Sequence, residues 1–434
     1  MRIRARRVLT PEGERPGVVV VRDGLIAEIA PYHGGPADVE VAGDEVLLPG
    51  LVDSHVHVNE PGRTHWEGFA TATAAAAAGG VTTIVDMPLN SIPPTVDVPA
   101  LQAKQAAARG QLAVDVAFWG GAVPGNRAAL RALHEAGVAG FKCFLLPSGV
   151  EEFPPLDAVQ LEEAMTEIAV FGGVLIVHAE DPATIAPAPH GRAYADFALS
   201  RPQAAEVRAV ATLVEAARRT GCRTHIVHVA GAAVLPLLAA AKADGLPVTA
   251  ETCPHYLTLC AEDVPDGATE FKCCPPIRDE TNRDALWEGL RDGTLDCVVS
   301  DHSPCPVEEK RLDSGDFGAA WGGIASVQLS LPVTWTAAAD RGFGLSELAR
   351  WMSTAPAALA GFTDRGALAP GLRADLCAFA PDEWFVVDQL RLRHRNPVTP
   401  YQGRKLRGVV RRTWLAGEPV EDGVRAGRLV SLRG

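Results

Sequence analysis

The 434-residue chain is 47% hydrophobic and 21% charged, the balance of a globular protein and not of a disordered one. That length predicts one large domain with an accessory piece, or two domains. A formal net charge of −13 argues against nucleic-acid or anionic-membrane partners.

The first 48 residues read as short strands and turns. Arg2, Arg4, Arg6 and Arg7 make the start basic, but Pro11-Glu12-Gly13-Glu14 follows where a leader would be apolar, so an edge strand with charged outward positions is expected. Val18-Val19-Val20-Val21, the turn Arg22-Asp23-Gly24 and Leu25-Ile26-Ala27-Glu28-Ile29 have the signature of a hairpin. The Ala-rich run 70–78 is helix-prone and too short to span a bilayer. The nine cysteines are scattered and never spaced Cys-x-x-Cys, which predicts reduced core thiols in a cytoplasmic protein, with Cys273 and Cys274 as packing residues.

From Leu51 the texture changes to apolar strands alternating with amphipathic helices. Strands are predicted at 81–87, 112–119, 138–145, 174–177, 224–229, 248–251 and 295–300, and helices at 100–109, 127–136, 156–171, 203–220 and 232–242. About eight such units closing on themselves make a (β/α)8 TIM barrel. A doubly wound open sheet is the alternative, but no Gly-x-Gly-x-x-Gly turn follows the first strand. Past about residue 365 strands and turns return. The expected organisation is therefore a barrel over 49–365 beside a small β-sandwich domain built from 1–48 and 366–434.

The apolar run Val46-Leu47-Leu48-Pro49-Gly50-Leu51-Val52 leads into Asp53-Ser54-His55-Val56-His57. In a strand, His55 and His57 share one face, a half-site for a divalent metal. Alone, the pair is equally a polar strand end. The other strand exits carry His178, His228 and Asp301, at spacings that fit βα units of roughly 30 residues or more. Barrel enzymes keep their catalytic groups at such exits. His225, three residues before His228, is expected on the opposite face as a structural histidine. Lys142 lies in the apolar strand Gly140-Phe141-Lys142-Cys143-Phe144. Burial there lowers the pKa of an ammonium, giving either a lysine that reaches a distant carboxylate or a neutral, reactive amine.

Taken together, Asp53-Ser54-His55-Val56-His57, Gly140-Phe141-Lys142-Cys143-Phe144, Val177-His178-Ala179-Glu180, Val227-His228-Val229, Glu251-Thr252-Cys253-Pro254-His255-Tyr256 and Ser300-Asp301-His302-Ser303 closely resemble the amidohydrolase superfamily. Within it they resemble the cyclic amidohydrolases: allantoinases, hydantoinases or dihydropyrimidinases, and dihydroorotases. The resemblance implies a binuclear centre of two divalent ions, zinc foremost with cobalt, manganese or nickel as alternatives. His55, His57 and Asp301 would hold one ion and His178 and His228 the other, with Lys142 bridging them as a CO2-derived carbamate (N6-carboxylysine). A hydroxide between the ions would attack the ring carbonyl, and Asp301 would carry its proton to the leaving nitrogen.

The stretch from Asn59 to Phe69 resembles the allantoinase form of its loop, as do Asp86-Met87-Pro88-Leu89-Asn90-Ser91 and Ser300-Asp301-His302-Ser303-Pro304-Cys305-Pro306. Asn59 stands where dihydroorotases carry an arginine for the substrate carboxylate. The implied reaction is opening of the hydantoin ring of allantoin to allantoate. Dihydropyrimidine, hydantoin or dihydroorotate hydrolysis is the alternative, and a metal-free, non-catalytic homologue the remote one. Asn90, Arg63 and Ser303 are candidate substrate contacts, with Arg63 equally able to pair with Glu60 or Glu67. Cys274-Pro275-Pro276-Ile277-Arg278 is expected to offer backbone groups, and His190 a surface loop position. The resemblance further implies a homo-oligomer, expected as a homotetramer.

Overall fold

The computed structural model describes residues 1–33 and 35–432. Eight parallel strands form the barrel: Leu51–Val56, Val81–Asp86, Asp115–Phe118, Phe141–Phe144, Val174–His178, Arg223–Ile226, Val248–Thr252 and Cys297–Val298. Each pairs in parallel with the next through the intervening helical connection, as the alternation of the sequence predicts. The third strand meets the fourth through Gly120–Gly121 and a bond from the Ala139 N–H to the Phe118 carbonyl (2.9 Å). The ring closes where the His57 N–H donates to the His302 carbonyl (2.8 Å), beside a parallel bridge between Val56 and His302.

Helix starts follow local chemistry. Asp157 caps Ala158–Val170 in a reciprocal box with Gln160, Asp97 caps Val98–Ala108, and Asp279 caps Glu280–Arg291. Gln203–Thr220 ends on Gly221 at φ 67°, a left-handed C-terminus that glycine supplies without strain. No helix of the described residues is long and apolar enough to cross a membrane. All nine cysteines are free, as expected.

Both chain ends contribute to one sheet beside the barrel. Arg2–Thr10, Gly13–Arg22 and Leu25–Ala30 lie on one side of Val46–Pro49, and Leu376–Val386, Lys405–Leu415 and Glu418–Pro419 on the other. Period-two alternation divides the burial. Val8, Leu47, Leu376 and Ala378 face a core internal to the sheet, with Trp414 and Val19. Their neighbours Leu9, Val46, Leu48, Cys377 and Phe379 face the barrel and join its core. The hairpin turn at Asp23 and Gly24 (φ 53° and 78°) has the left-handed pair that its sequence predicts.

Two expectations need correction. The basic N-terminal strand is not an edge: Arg2–Thr10 is paired on both sides, with Gly13–Arg22 and with Val46–Pro49. Its alternation survives, with Ile3 and Ala5 buried between arginines, and Arg4 and Arg7 pair with Glu40 and Glu14. The apolar run before the first histidine is not one strand. It breaks at Gly50, so that Val46–Pro49 serves the end sheet and Leu51–Val56 the barrel. A Cβ at Gly50 would lie 2.3 Å from the Thr82 hydroxyl oxygen, so the change of direction requires glycine.

Candidate active site

His55, His57, Lys142, His178, His228 and Asp301 line one cavity of about 290 Å³. All six are buried. His55, His57, His178, His228 and Asp301 lie at or just past the ends of the first, fifth, sixth and eighth strands, where a parallel barrel opens its carboxyl face, and Lys142 lies within the fourth. Backbone strain concentrates there. His228 (φ 40°) and Asp301 (φ 44°) are left-handed, as are Asn59 (φ 66°) and Asn90 (φ 64°) after the first two strands.

Asp301 joins the first strand to the eighth: its Oδ1 lies 3.1 Å from His55 Nε2 and 3.5 Å from His57 Nε2. The other nitrogen of His55, Nδ1, lies 2.5 Å from Glu251 Oε1, whose partner oxygen Oε2 lies 3.0 Å from His225 Nε2. His225 Nδ1 is in turn 2.8 Å from the Thr249 hydroxyl. Burial lowers the His55 imidazole, but the Asp301 and Glu251 carboxylates on its two sides raise it to about 9. Burial pushes Asp301 up, and the charge and hydrogen bond of His55, with His57, hold it well below the usual carboxylate range. Glu251 is depressed in the same way by His55 and His225, against its burial.

The opposite half is held differently. His178 Nε2 lies 2.7 Å from Glu180 Oε2, and Arg201 grips the same carboxylate through Nε (3.1 Å) and Nη2. Phe144 stacks on the His178 ring at 4.8 Å and 16°. Burial, followed by the Lys142 charge, holds His178 well below its ordinary value, so its ring is neutral. His228 packs edge-on to His178, with ring centroids 4.6 Å apart.

Lys142 is 1% exposed, and no carboxylate pairs with it among the described residues. Its Nζ sits 4.9 Å from the centroid of the Phe144 ring. Burial lowers its pKa to about 8, although Glu251 and Asp301 act in the other direction. A buried amine with that value has a substantial neutral fraction near physiological pH, the form that can react.

The amidohydrolase family model matches residues 46–420. The chain belongs to the amidohydrolase family. Among its relatives, the allantoinase of Streptomyces avermitilis is 56% identical over 423 residues, covering 96% of this chain and 94% of that protein. The allantoinase of Saccharomyces cerevisiae is 48% identical over 382 residues, covering 86% and 82%. Among solved structures, the L-hydantoinase (dihydropyrimidinase) from Arthrobacter aurescens aligns with a TM-score of 0.93 at 30% identity, over 99% of both chains. The fold is the TIM barrel of such hydrolases, accompanied by a sheet from the chain ends.

The amidohydrolase family implies a divalent metal centre, and the donors here fit one. His55, His228 and Asp301 offer ligand atoms all within 4.8 Å of one another. The buried Nδ1 of His228 has no hydrogen-bond partner. His228, held well below its ordinary value by burial, supplies a neutral imidazole beside the Asp301 carboxylate, and histidine with carboxylate is the donor set that borderline first-row ions take.

Asn90 and Ser303 line the cavity. The Ser303 hydroxyl lies 2.7 Å from the Asp301 carbonyl oxygen and 3.0 Å from Asp301 Oδ1, and Asn90 Nδ2 lies 3.5 Å from His57 Nδ1. Arg63 does not line the cavity. It pairs with Glu152, donates to the Asn90 carbonyl (3.0 Å) and lies over the Trp66 ring, so its partner is neither Glu60 nor Glu67. Asn59 is likewise outside the cavity lining, buried, with Nδ2 donating to the Pro304 carbonyl at 3.3 Å. Cys273 and Cys274 line the cavity as well as packing, while Pro275 and Ile277 spend their carbonyls on Tyr256 and Tyr194. His190 is exposed and paired with Asp316.

Sequence reasoning missed Glu180, Glu251 and Arg201, which orient the histidines, and Trp321, which lines the cavity. A signal existed for the first two. Glu180 follows His178 by two residues, and Glu251 is a lone carboxylate in the strand Val248–Thr252, as anomalous there as Lys142 is in its own strand. His225 is not on an unrelated face: it reaches the site through Glu251.

Proposed function

We propose that the protein is an allantoinase, a hydrolase that opens the hydantoin ring of allantoin to give allantoate. The observation that carries this reading is the convergence of His55, His57, Lys142, His178, His228 and Asp301 on one cavity. It is supported by the identity to relatives of that name across nearly the whole chain. His55 and His57 with Asp301 would hold one divalent ion and His178 with His228 a second, zinc foremost, with carboxylated Lys142 between them.

Such a metal pair, when bound, supplies a water of lowered pKa and a Lewis acid for the ring carbonyl. The remaining work falls to the chain. His55 can turn Nε2 to an ion only because Glu251 fixes Nδ1, and His178 is fixed by Glu180 in the same way. Asp301, a buried carboxylate that His55 and His57 hold well below the usual carboxylate range, would accept a proton on the attacking side. It returns that proton to the departing ring nitrogen, without which an amide nitrogen does not leave. Asn90, beside His57 in the cavity wall, is placed to hydrogen-bond the ring.

The enzyme would act within a homotetramer in the cytoplasm. Purified protein offered allantoin, hydantoin, dihydrouracil and dihydroorotate separates this reading from its neighbours. Allantoin is expected to be the best substrate by kcat/KM; absence of allantoin turnover in zinc-loaded protein would overturn it.

A further inference from the structure

Two buried lysines, Lys272 and Lys310, donate to the backbone of the cavity wall formed by Ala320, Trp321, Gly322 and Gly323, and neither pairs with a carboxylate among the described residues. Their hydrogen bonds differ. Lys310 spends its ammonium on backbone carbonyls: Trp321 (3.2 Å), Gly323, and more weakly Lys272 (3.5 Å). An ammonium has three N–H donors, so Lys310 is satisfied and holds the wall in place.

Lys272 is 7% exposed and itself lines the cavity. Its Nζ donates to one acceptor, the Ala320 carbonyl, at 2.6 Å. One side of the ammonium is covered by the Phe197 ring, 5.2 Å away at its centroid. Two N–H donors remain without a protein acceptor among the described residues, in a side chain that is more than nine-tenths buried. Burial lowers its pKa, as do Lys310 and Arg201, while Cys274 and Asp316 act in the other direction. Arg201 is engaged with Glu180 on behalf of His178, and is not free to do the same work.

We propose that Lys272 is the specificity-determining residue for the ring substituent, donating to a carbonyl oxygen carried on the substrate's side chain. The proposal rests on the allantoinase reading and deepens it: the substrate class becomes hydantoins whose 5-substituent carries a hydrogen-bond acceptor, as a ureido group does. An alkyl substituent would cover the ammonium and leave its two N–H groups unsatisfied, which selects against it. A site that hydrogen-bonds one substrate rejects the isostere lacking the acceptor for that reason.

The test compares kcat/KM for allantoin and for 5-propylhydantoin, whose side chain has similar length and no acceptor, in zinc-loaded wild-type protein and Lys272→Met. Wild-type protein is expected to prefer allantoin, and the variant to lose roughly 10- to 100-fold of that preference, the range for a hydrogen bond to a charged group, chiefly through KM. Lys272→Arg is expected to keep part of it. An unchanged ratio in Lys272→Met would overturn the proposal while leaving the allantoinase reading intact. Should the variants fail to fold, wild-type protein alone decides: equal kcat/KM for the two hydantoins would overturn the role of Lys272. Turnover of 5-propylhydantoin with none of allantoin would overturn the underlying reading itself.

Discussion

Lys142 is the residue on which the chemistry turns. A lysine buried in an apolar strand would ordinarily find a carboxylate, and this one lies over a phenyl ring in a cavity lined by four imidazoles. In the proposed centre, carboxylation of the neutral amine would convert the misplaced cation into an anionic bridge. Lys142→Ala is expected to lose activity by about three orders of magnitude or more, as for removal of a group essential to a reaction. Short carboxylic acids such as acetate should restore part of it by occupying the space of the missing carbamate. In wild-type protein stripped of metal and CO2, recovery on adding zinc at a fixed concentration of dissolved CO2 should quicken as pH rises through about 8, because the amine must first lose its proton. Kinetic assays in sealed, CO2-controlled buffer check both. No rescue by any carboxylate, together with full metal content in the variant, would count against the bridge.

At the scale of elements, the site depends on loops held by buried charge. Asp86, at the exit of the second strand, accepts the Val58 N–H (2.9 Å) and pairs with Lys104 of the helix Val98–Ala108 at 2.7 Å. Lys104 also donates to the Met87 carbonyl (2.7 Å). One ion pair thus ties the segment after His57 to the segment that carries Asn90. Both partners are essentially unexposed, and burial raises the Asp86 pKa even with Lys104 beside it. Lys104→Met would strand a buried carboxylate, so a destabilisation of about 3 kcal/mol or more is expected by chemical denaturation. Lys104→Met combined with Asp86→Asn should recover part of that loss. A single variant as stable as wild type would show that the pair contributes nothing net.

Across the whole molecule, what was legible in the sequence is what strand exits expose. His55, His178, His228 and Asp301 each end an apolar run, and a parallel barrel gathers such ends on one face, so they could be assembled from spacing and resemblance. Groups acting across strands were not legible in that way. Nothing local to Glu251 says that it meets His55, 196 residues earlier in the chain. Nor does spacing place Arg63, whose partner Glu152 lies 89 residues on. Asn59 was informative as a family mark, yet it is pinned to the Pro304 carbonyl outside the cavity lining. The opposite-face inference for His225 presumed a strand continuing through His228, whereas the strand ends at Ile226 and His228 turns left-handed. The basic first strand was misplaced for a related reason: alternation reveals which face is wet, but not how many neighbours a strand has.

All of these parts serve one claim, that a pair of divalent ions in this cavity opens allantoin. The direct measurement is a titration of allantoin turnover against zinc added to chelator-stripped protein, with bound metal counted by elemental analysis. Activity is expected to be absent without metal and to reach its plateau as two ions bind per chain. Full allantoin turnover by protein that holds no metal would contradict it.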